Sequence, residues 1–206
     1  MMTNREIVKQ YSVVFVAPVR NCAPYLEKVF KNIEKIGSLF KQYTCVFAES
    51  DSSDNTLELL KEYSTKNKNV TVLELVQLEH QIQSRTIRIA TARNACLKYC
   101  ENNNLLDTHD YYIQLCVDDV NSEEMMEEDF LTCFNYDINL WAGMCANQNT
   151  YYDLWTLRCN GWLNYDCWYE LRRNKPPYMS DEDAYKILIG SRHIKIPKNF
   201  GLIEVD

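Results

Sequence analysis

The chain has little glycine, little proline and very little histidine, with five, five and three residues among 206. None of the glycines lies near Pro18, where the first apolar segment ends. A glycine-rich phosphate loop at that position is therefore excluded. No apolar run approaches the ~20 residues that span a bilayer, so no transmembrane segment is expected. Positive charge is also short: 22 Lys and Arg against 29 Asp and Glu give a net charge of −7. Nucleic-acid binding needs clustered cations to release phosphate counterions, and the densest basic patch, Arg172, Arg173 and Lys175, is brief. No nucleic-acid partner is expected, and a small or neutral ligand fits better. No apolar signal segment precedes Tyr11, which points to a cytoplasmic protein.

What is present is ordinary globular material, 46% hydrophobic and 25% charged. Its length fits a single domain. Nine cysteines are an odd count in a long chain and read as reduced thiols. Cys96 and Cys100 stand one helical turn apart, the spacing of half a metal site, but no second pair follows and core packing is the favoured role. The sequon Asn69-Val70-Thr71 carries no weight in a chain outside the secretory route.

Apolar runs alternate with helical periodicity. Residues 12–17 (SVVFVA) read as a strand buried on both faces, followed by a helix over 25–40. A strand over 44–48 precedes a helix over 54–63, opened by Ser and Asp caps, with Leu57, Leu59 and Leu60 inward. A strand over 70–75 precedes a helix over 87–99, with Ile87, Ala90, Ala95 and Leu97 as its expected buried positions. A strand over 111–117 follows, then a helix over 123–134, an aromatic irregular stretch over 143–168, and a last helix over 181–189 leading to an extended tail near 194–197. The order predicts an α/β fold with a mostly parallel sheet flanked by helices on both faces.

In such sheets ligands bind at the carboxyl ends of strands. Three of those ends are chemically loaded: Pro18-Val19-Arg20-Asn21, Glu49-Ser50-Asp51-Ser52-Ser53-Asp54, and Asp118-Asp119. The Ser-Asp run serves equally as a helix cap. Adjacent carboxylates at a semi-enclosed strand end repel unless a cation is held there, and hard oxygen ligands suit Mg2+ or Mn2+; the alternative is a solvated turn capping a helix at Asn121. The third helix adds Arg85, Arg88, Arg93 and Asn94. A guanidinium at Arg93 pairs either with a diphosphate or, as an internal salt bridge, with the acidic strand end.

Together Pro18-Val19-Arg20-Asn21, Glu49 to Thr56, Ala92-Arg93-Asn94 and Val117-Asp118-Asp119-Val120 resemble the nucleotide-sugar half of GT-A (Rossmann-like) glycosyltransferases. The pattern is similar to the fungal capsule-associated mannosyltransferases and the glycosyltransferases of large DNA viruses, including those that decorate algal-virus capsids. Tyr152-Asp153-Leu154-Trp155-Thr156-Leu157-Arg158 is similar to the capsule group. The resemblance implies one GT-A domain over 1–206, with a nucleotide-sugar half over about 11–121 and an acceptor half over about 122–206. It implies that Pro18, Arg20 and Arg88 line the donor site, that Glu49 contacts base or ribose, that Asp51 lines the nucleotide pocket, and that Arg93 touches diphosphate or sugar. Asp118 and Asp119 stand for the family's Asp-x-Asp metal motif with altered spacing, since a strict match needs an acid at Val117 or Cys116; Asp119 is the favoured ligand. His193 holds a position where several families place a histidine on the metal or diphosphate.

Ser180-Asp181-Glu182-Asp183 is similar to the acidic helix start that supplies the base in inverting enzymes, making Asp183 or Glu182 the candidate; a macrodipole-favoured acidic cap is the even alternative. Asp153, Trp155 and Arg158 are candidate acceptor residues, with Trp162, Tyr165 and Trp168 as further faces for stacking or for the core. The implied reaction moves a hexose or deoxyhexose from a nucleoside diphosphate sugar, a UDP-sugar favoured, to a glycan or glycoprotein hydroxyl, with Mn2+ or Mg2+. For a viral enzyme the location is the host cytoplasm. The rivals are a non-catalytic carbohydrate- or nucleotide-sugar-binding module and a nucleotidyltransferase, the latter opposed by the missing glycine-rich loop.

Overall fold

The computed structural model describes residues 2–144, 173, 175–180 and 183. The chain divides into two compact units, Met1–Met144 and Cys145–Asp206. Residues 122–144, placed above in the acceptor half, belong to the first unit.

The first unit opens with a short helix, α1 (Asn4–Val8), that the sequence reading lacked. Its start is a capping box: Thr3 accepts from the Glu6 amide while the Glu6 carboxylate takes the Thr3 amide. Then β1 (Ser12–Val19), α2 (Ala23–Gly37), β2 (Gln42–Glu49), α3 (Thr56–Lys66), β3 (Val70–Glu74), α4 (Leu78–Gln81), α5 (Arg85–Asn102), α6 (Leu105–Thr108), β4 (Tyr111–Gln114) and α7 (Glu127–Leu131) follow in chain order. The sheet runs β3-β2-β1-β4, and its three pairings are all parallel. The expected α/β architecture is therefore the one observed.

Residue parity along β1 divides the core. Val13, Phe15, Ala17 and Val19 pack with Leu26, Val29, Ile33 and Ile36 of α2 on one face. Val14 and Val16, with Val46 and Ala48 of β2, pack on Ala92, Cys96 and Cys100 of α5 on the other. Both faces of β1 are thus dry, which is why it reads as an unbroken apolar run.

Three expectations need correction. The inward stripe of α5 is Ala92, Cys96 and Cys100, whereas Ile87 is 55% exposed, Leu97 is 38% exposed and Ala90 is exposed. Small side chains at i, i+4 and i+8 let the helix axis approach the sheet, which longer side chains at those positions would prevent. The fourth strand stops at Gln114, because Leu115 makes only one further bond, from its amide to the Val16 carbonyl at 2.8 Å, before the chain turns away. The helix expected from Glu123 begins at Glu127, since the chain before it is irregular after Asn121 and is bound to α2 through Asn121, Glu123 and Met125.

Candidate functional site

In the order β3-β2-β1-β4 the chain winds outward from β1 in one direction and then crosses to its other side. The crevice between the carboxyl ends of β1 and β4 is therefore the topological switch point, the usual ligand position in open α/β sheets. A cleft of about 390 Å³ lies there. Its floor and walls come from Pro18 and Val19 at the end of β1 with Arg20 to Cys22 beyond it, Ser50 after β2, and Cys116 to Asp118 after β4. Its remaining wall is the first part of α5, about two and a half turns, carrying Arg85, Arg88, Ile89, Ala92 and Arg93.

That wall continues the stripe that packs on the sheet. Positions 85, 89, 92, 96 and 100 fall on one face of an α-helix. Where this stripe packs on the sheet it is Ala92, Cys96 and Cys100; at the cleft it continues as Ile89 and Arg85, with Arg88 and Arg93 beside it. Four arginines and one aspartate line the cleft, a local excess of positive charge in a chain of net charge −7. Such a cleft attracts small anions and leaves the rest of the surface repelling polyanions.

The four guanidiniums are not equivalent. Arg88 donates to the carbonyls of Ile82 at 2.8 Å and Gln83 at 2.7 Å, closing the loop before α5. Arg20 pairs with Glu79, yet its Nε is buried without a hydrogen-bond partner. Arg85 and Arg93 form no hydrogen bond or ion pair among the described residues. The site therefore holds two uncommitted cations and one unsatisfied buried donor, a donor set made for phosphate-type oxygens.

The loop after β2 has a different task. Asn21 and Asp51 both adopt left-handed backbone, with φ 51 in each, at the ends of β1 and β2. Asn and Asp tolerate this region better than other non-glycine residues. The Asn21 amide donates to Ser52 Oγ at 3.0 Å, and Asn21 Oδ1 accepts from the Ser53 amide at 2.8 Å. Cys22 N–H donates to Thr56 Oγ1 at 2.8 Å and Ala23 N–H to Asp54 Oδ2 at 3.2 Å. The Ser-Asp run therefore caps α2 from a neighbouring loop, besides its local bond from the Thr56 amide to Asp54 Oδ1 at 3.0 Å.

Asp51 accepts the amides of Gln77 and Glu79, each at 2.8 Å, so it pins the loop that leads into α4. The bond from the Glu79 amide, joined by that from Gln77, holds its carboxyl below the ordinary aspartate range. Glu49 is buried and accepts the Ser52 amide at 2.9 Å. Neither Glu49 nor Asp51 lines the cleft, whereas Pro18, Arg20, Arg88, Arg93 and Asp118 do. Asp118 also accepts weakly from the Val120 amide at 3.4 Å, capping a single 3-10 turn, Asp119–Asn121. Asp119 sits in that turn, exposed, and does not line the cleft.

No cluster of three or more His, Cys, Asp or Glu side chains placed to hold a metal occurs among the described residues. Mg2+ bound with a nucleotide needs only one or two carboxylates, the phosphates and water completing its shell, and Asp118 meets that requirement.

Asp183 is helical, its amide donating to Ser180 Oγ at 3.0 Å and its Oδ2 accepting from that hydroxyl at 2.7 Å, the bonds of a helix cap. Glu182, His193, Asp153, Trp155, Arg158, Trp162, Tyr165 and Trp168 lie outside the described residues. Asn21 and Ser50 were named within the strand-end motifs and Arg85 with its helix, but none was carried into the site; Cys116 entered only as a position where a strict metal motif needs an acid, and Cys22 was passed over. For Arg85 the signal was its place seven residues before Ala92 on the same helix face.

Among the described residues no helix is long and apolar enough to cross a membrane. A comparison with curated proteins finds no match. Residues 14–106 match the model of the family described as glycosyl transferase family 2. The matched stretch holds Arg20, Glu49, Asp51, Arg88 and Arg93 and ends before Asp118. That family works with a nucleotide-sugar donor and an acceptor. With the parallel sheet and the arginine-lined switch-point cleft, the match supports a glycosyltransferase of the GT-A fold.

Proposed function

We propose that the chain transfers a hexose or deoxyhexose from a nucleoside diphosphate sugar, a UDP-sugar by preference, to a glycan or glycoprotein hydroxyl with the help of Mn2+ or Mg2+. The observation that carries this reading is the pair of uncommitted arginines, Arg85 and Arg93, lining the switch-point cleft together with one carboxylate, Asp118. Their two positive charges balance a diphosphate. Negative charge grows on the leaving diphosphate as the glycosidic bond breaks, so fixed cations there lower the barrier rather than merely binding substrate. Arg20 Nε–H supplies a further donor to a phosphate oxygen. Asp118, with Asp119 beside it in sequence, would hold the divalent cation, which adds Lewis-acid neutralisation of the same oxygens when bound. Asp183 or Glu182 takes the acceptor proton if the configuration inverts, His193 stands as a further ligand, and Asp153, Trp155 and Arg158 meet the acceptor. A viral capsid glycoprotein is one acceptor compatible with this reading, glycosylated in the host cytoplasm if the enzyme is viral.

Calorimetry of UDP binding, in Mn2+ and in EDTA, tests the proposal. Binding should be at least about tenfold tighter with Mn2+, because Asp118 otherwise repels the phosphates. Arg93→Ala should weaken it by about 1.5–3 kcal/mol, the worth of one charge-assisted bond. Asp118→Asn should erase the Mn2+ dependence and leave the fold unchanged. Equal binding in EDTA would remove the metal role; no UDP binding in either condition, with no UDP released from UDP-sugars, would remove the donor-site reading.

A further inference from the structure

The inward face of α2 is apolar except at one place. Leu26, Val29, Ile33 and Ile36 are almost wholly buried, and Asn32, 5% exposed, stands among them. Asparagine is a poor choice there on two grounds: it disfavours a helix interior, and its amide must be satisfied once water is gone. A leucine would suit the position better if packing were its only duty.

Asn32 is instead spent on one segment. Its Nδ2 donates to the carbonyls of Asn121 at 2.9 Å and Glu123 at 2.6 Å, and its Oδ1 accepts the Met125 amide at 3.0 Å. These three partners alternate along the irregular chain that follows Asp118 and Asp119. That chain has no strand or helix to satisfy its backbone between the 3-10 turn and α7, so the side chain does what a neighbouring strand would do. Asn121 carries the restraint onward, its Nδ2 donating to the Cys116 carbonyl at 2.6 Å and its amide to the Asp118 carbonyl at 3.4 Å. Ser122 closes the turn from the other side through its hydroxyl to the Asp119 carbonyl at 2.9 Å.

We infer that Asn32 is a positioning residue for Asp118: it fixes the segment 121–125 to α2 and thereby sets where the cleft's only carboxylate among the described residues stands relative to the arginines. The inference rests on the reading of the cleft as a donor site. The same helix is tied at its other end to the loop after β2 through Cys22 and Ala23. α2 is thus the common frame for two sides of the cleft, and a shift of about 1 Å in such a frame is enough to cost a site about a hundredfold.

The test compares Asn32→Ala with Ile33→Val, a buried neighbour on the same helix that makes no hydrogen bond to the segment. Hydrogen exchange of peptides covering 116–125 and calorimetry with UDP plus Mn2+ are measured on the full chain. Asn32→Ala should speed exchange of that segment, and of no strand, by at least about tenfold, and raise the Kd for UDP with Mn2+ by about tenfold or more. Ile33→Val should do neither. If Asn32→Ala does not fold, Asn32→Asp keeps the volume and the Met125 acceptor while removing both donors, and the same result is expected. Unchanged exchange overturns the brace, and faster exchange with wild-type binding of UDP and Mn2+ overturns the positioning role. Failure of the unsubstituted chain to bind UDP with Mn2+ removes the donor-site reading, and this role with it, and is told apart by needing no substitution.

Discussion

Thr56→Val isolates one hydroxyl at little steric cost. Thr56 is fully buried at the start of α3, and its Oγ1 accepts the Cys22 amide at 2.8 Å while its hydroxyl turns toward the Asp54 carboxylate. Valine has the same shape, so no cavity opens, but Cys22 N–H is left buried without an acceptor. An unsatisfied buried donor costs about 1–3 kcal/mol. Taking about 2 kcal/mol, the unfolding equilibrium shifts roughly thirtyfold at 1.4 kcal/mol per decade. With a urea slope of about 2 kcal/mol per molar the midpoint falls by about 1 M. At about 2–4 °C per kcal/mol for a chain of this size, the Tm falls by about 4–8 °C. Because Cys22 lines the cleft, UDP affinity should fall as well. Thr56→Ser keeps the hydroxyl and should lose about 0.8 kcal/mol for the methyl alone, with UDP affinity at the wild-type level. Thr56→Val at or above wild-type stability would refute the claim that the loop after β2 caps α2, since that claim rests on this hydroxyl and Asp54.

Two further substitutions probe the cleft and the second unit. Glu79→Gln removes the carboxylate that competes for Arg20 while leaving the Glu79 amide on Asp51, so UDP should bind about 1.4- to 5-fold more tightly, the worth of a half-exposed pair of about 0.2–1 kcal/mol; weaker binding would show that the pair holds the site open rather than occupying it. Asp183→Asn retains an acceptor for Ser180 and so keeps the cap, but it cannot take a proton; if Asp183 is the base, turnover measured by UDP release falls by about 10²–10⁴-fold at unchanged donor affinity, and activity within a few-fold of wild type ends that assignment.

The sheet was legible because burial on both faces leaves a compositional trace. Residues 12–17 and 44–48 are near-continuous apolar runs, and the observed β1 and β2 extend them by Pro18 and Val19 and by Gln42, Tyr43 and Glu49. The helix α5 was placed and core packing was expected of Cys96 and Cys100, as observed, but periodicity also put Ile87, Ala90 and Leu97 inward and passed over Ala92. Close approach to a sheet selects for small size rather than hydrophobicity, and that selection is a property of the pair, Ala92 and Cys96 against Val16 and Ala48, not of the helix alone. Cys96 packs between the two strands with its thiol directed to the carbonyls of Ala17 and Val46, and burial pushes that thiol up to about 11, so its role is structural.

The site divides along the same line. Arg88 and Arg93 were found as helix residues near a strand end, because charge on an otherwise apolar stripe is visible in one dimension. The division of labour among the four arginines was not, since it depends on partners 59 residues apart in one case, Arg20 with Glu79, and five or six apart in another, Arg88 with Gln83 and Ile82. The acidic loop residues were harder still. In Glu49-Ser50-Asp51-Ser52-Ser53-Asp54 the pattern of a ligand loop and the pattern of a scaffold are the same letters. The structure separates them by what each oxygen touches: Asp51 and Asp54 accept backbone amides from other segments, Glu49 accepts one from its own loop, and Ser50 alone of the six faces the cleft. A carboxylate already accepting amides at 2.8 Å on both oxygens is a poor candidate for a ligand's base or ribose until those amides are released. On the proposed reading, phosphate recognition falls to α5 and Arg20, and the run after β2 works one step back, holding α2, and through α2 the loop of Asp118, in register with them.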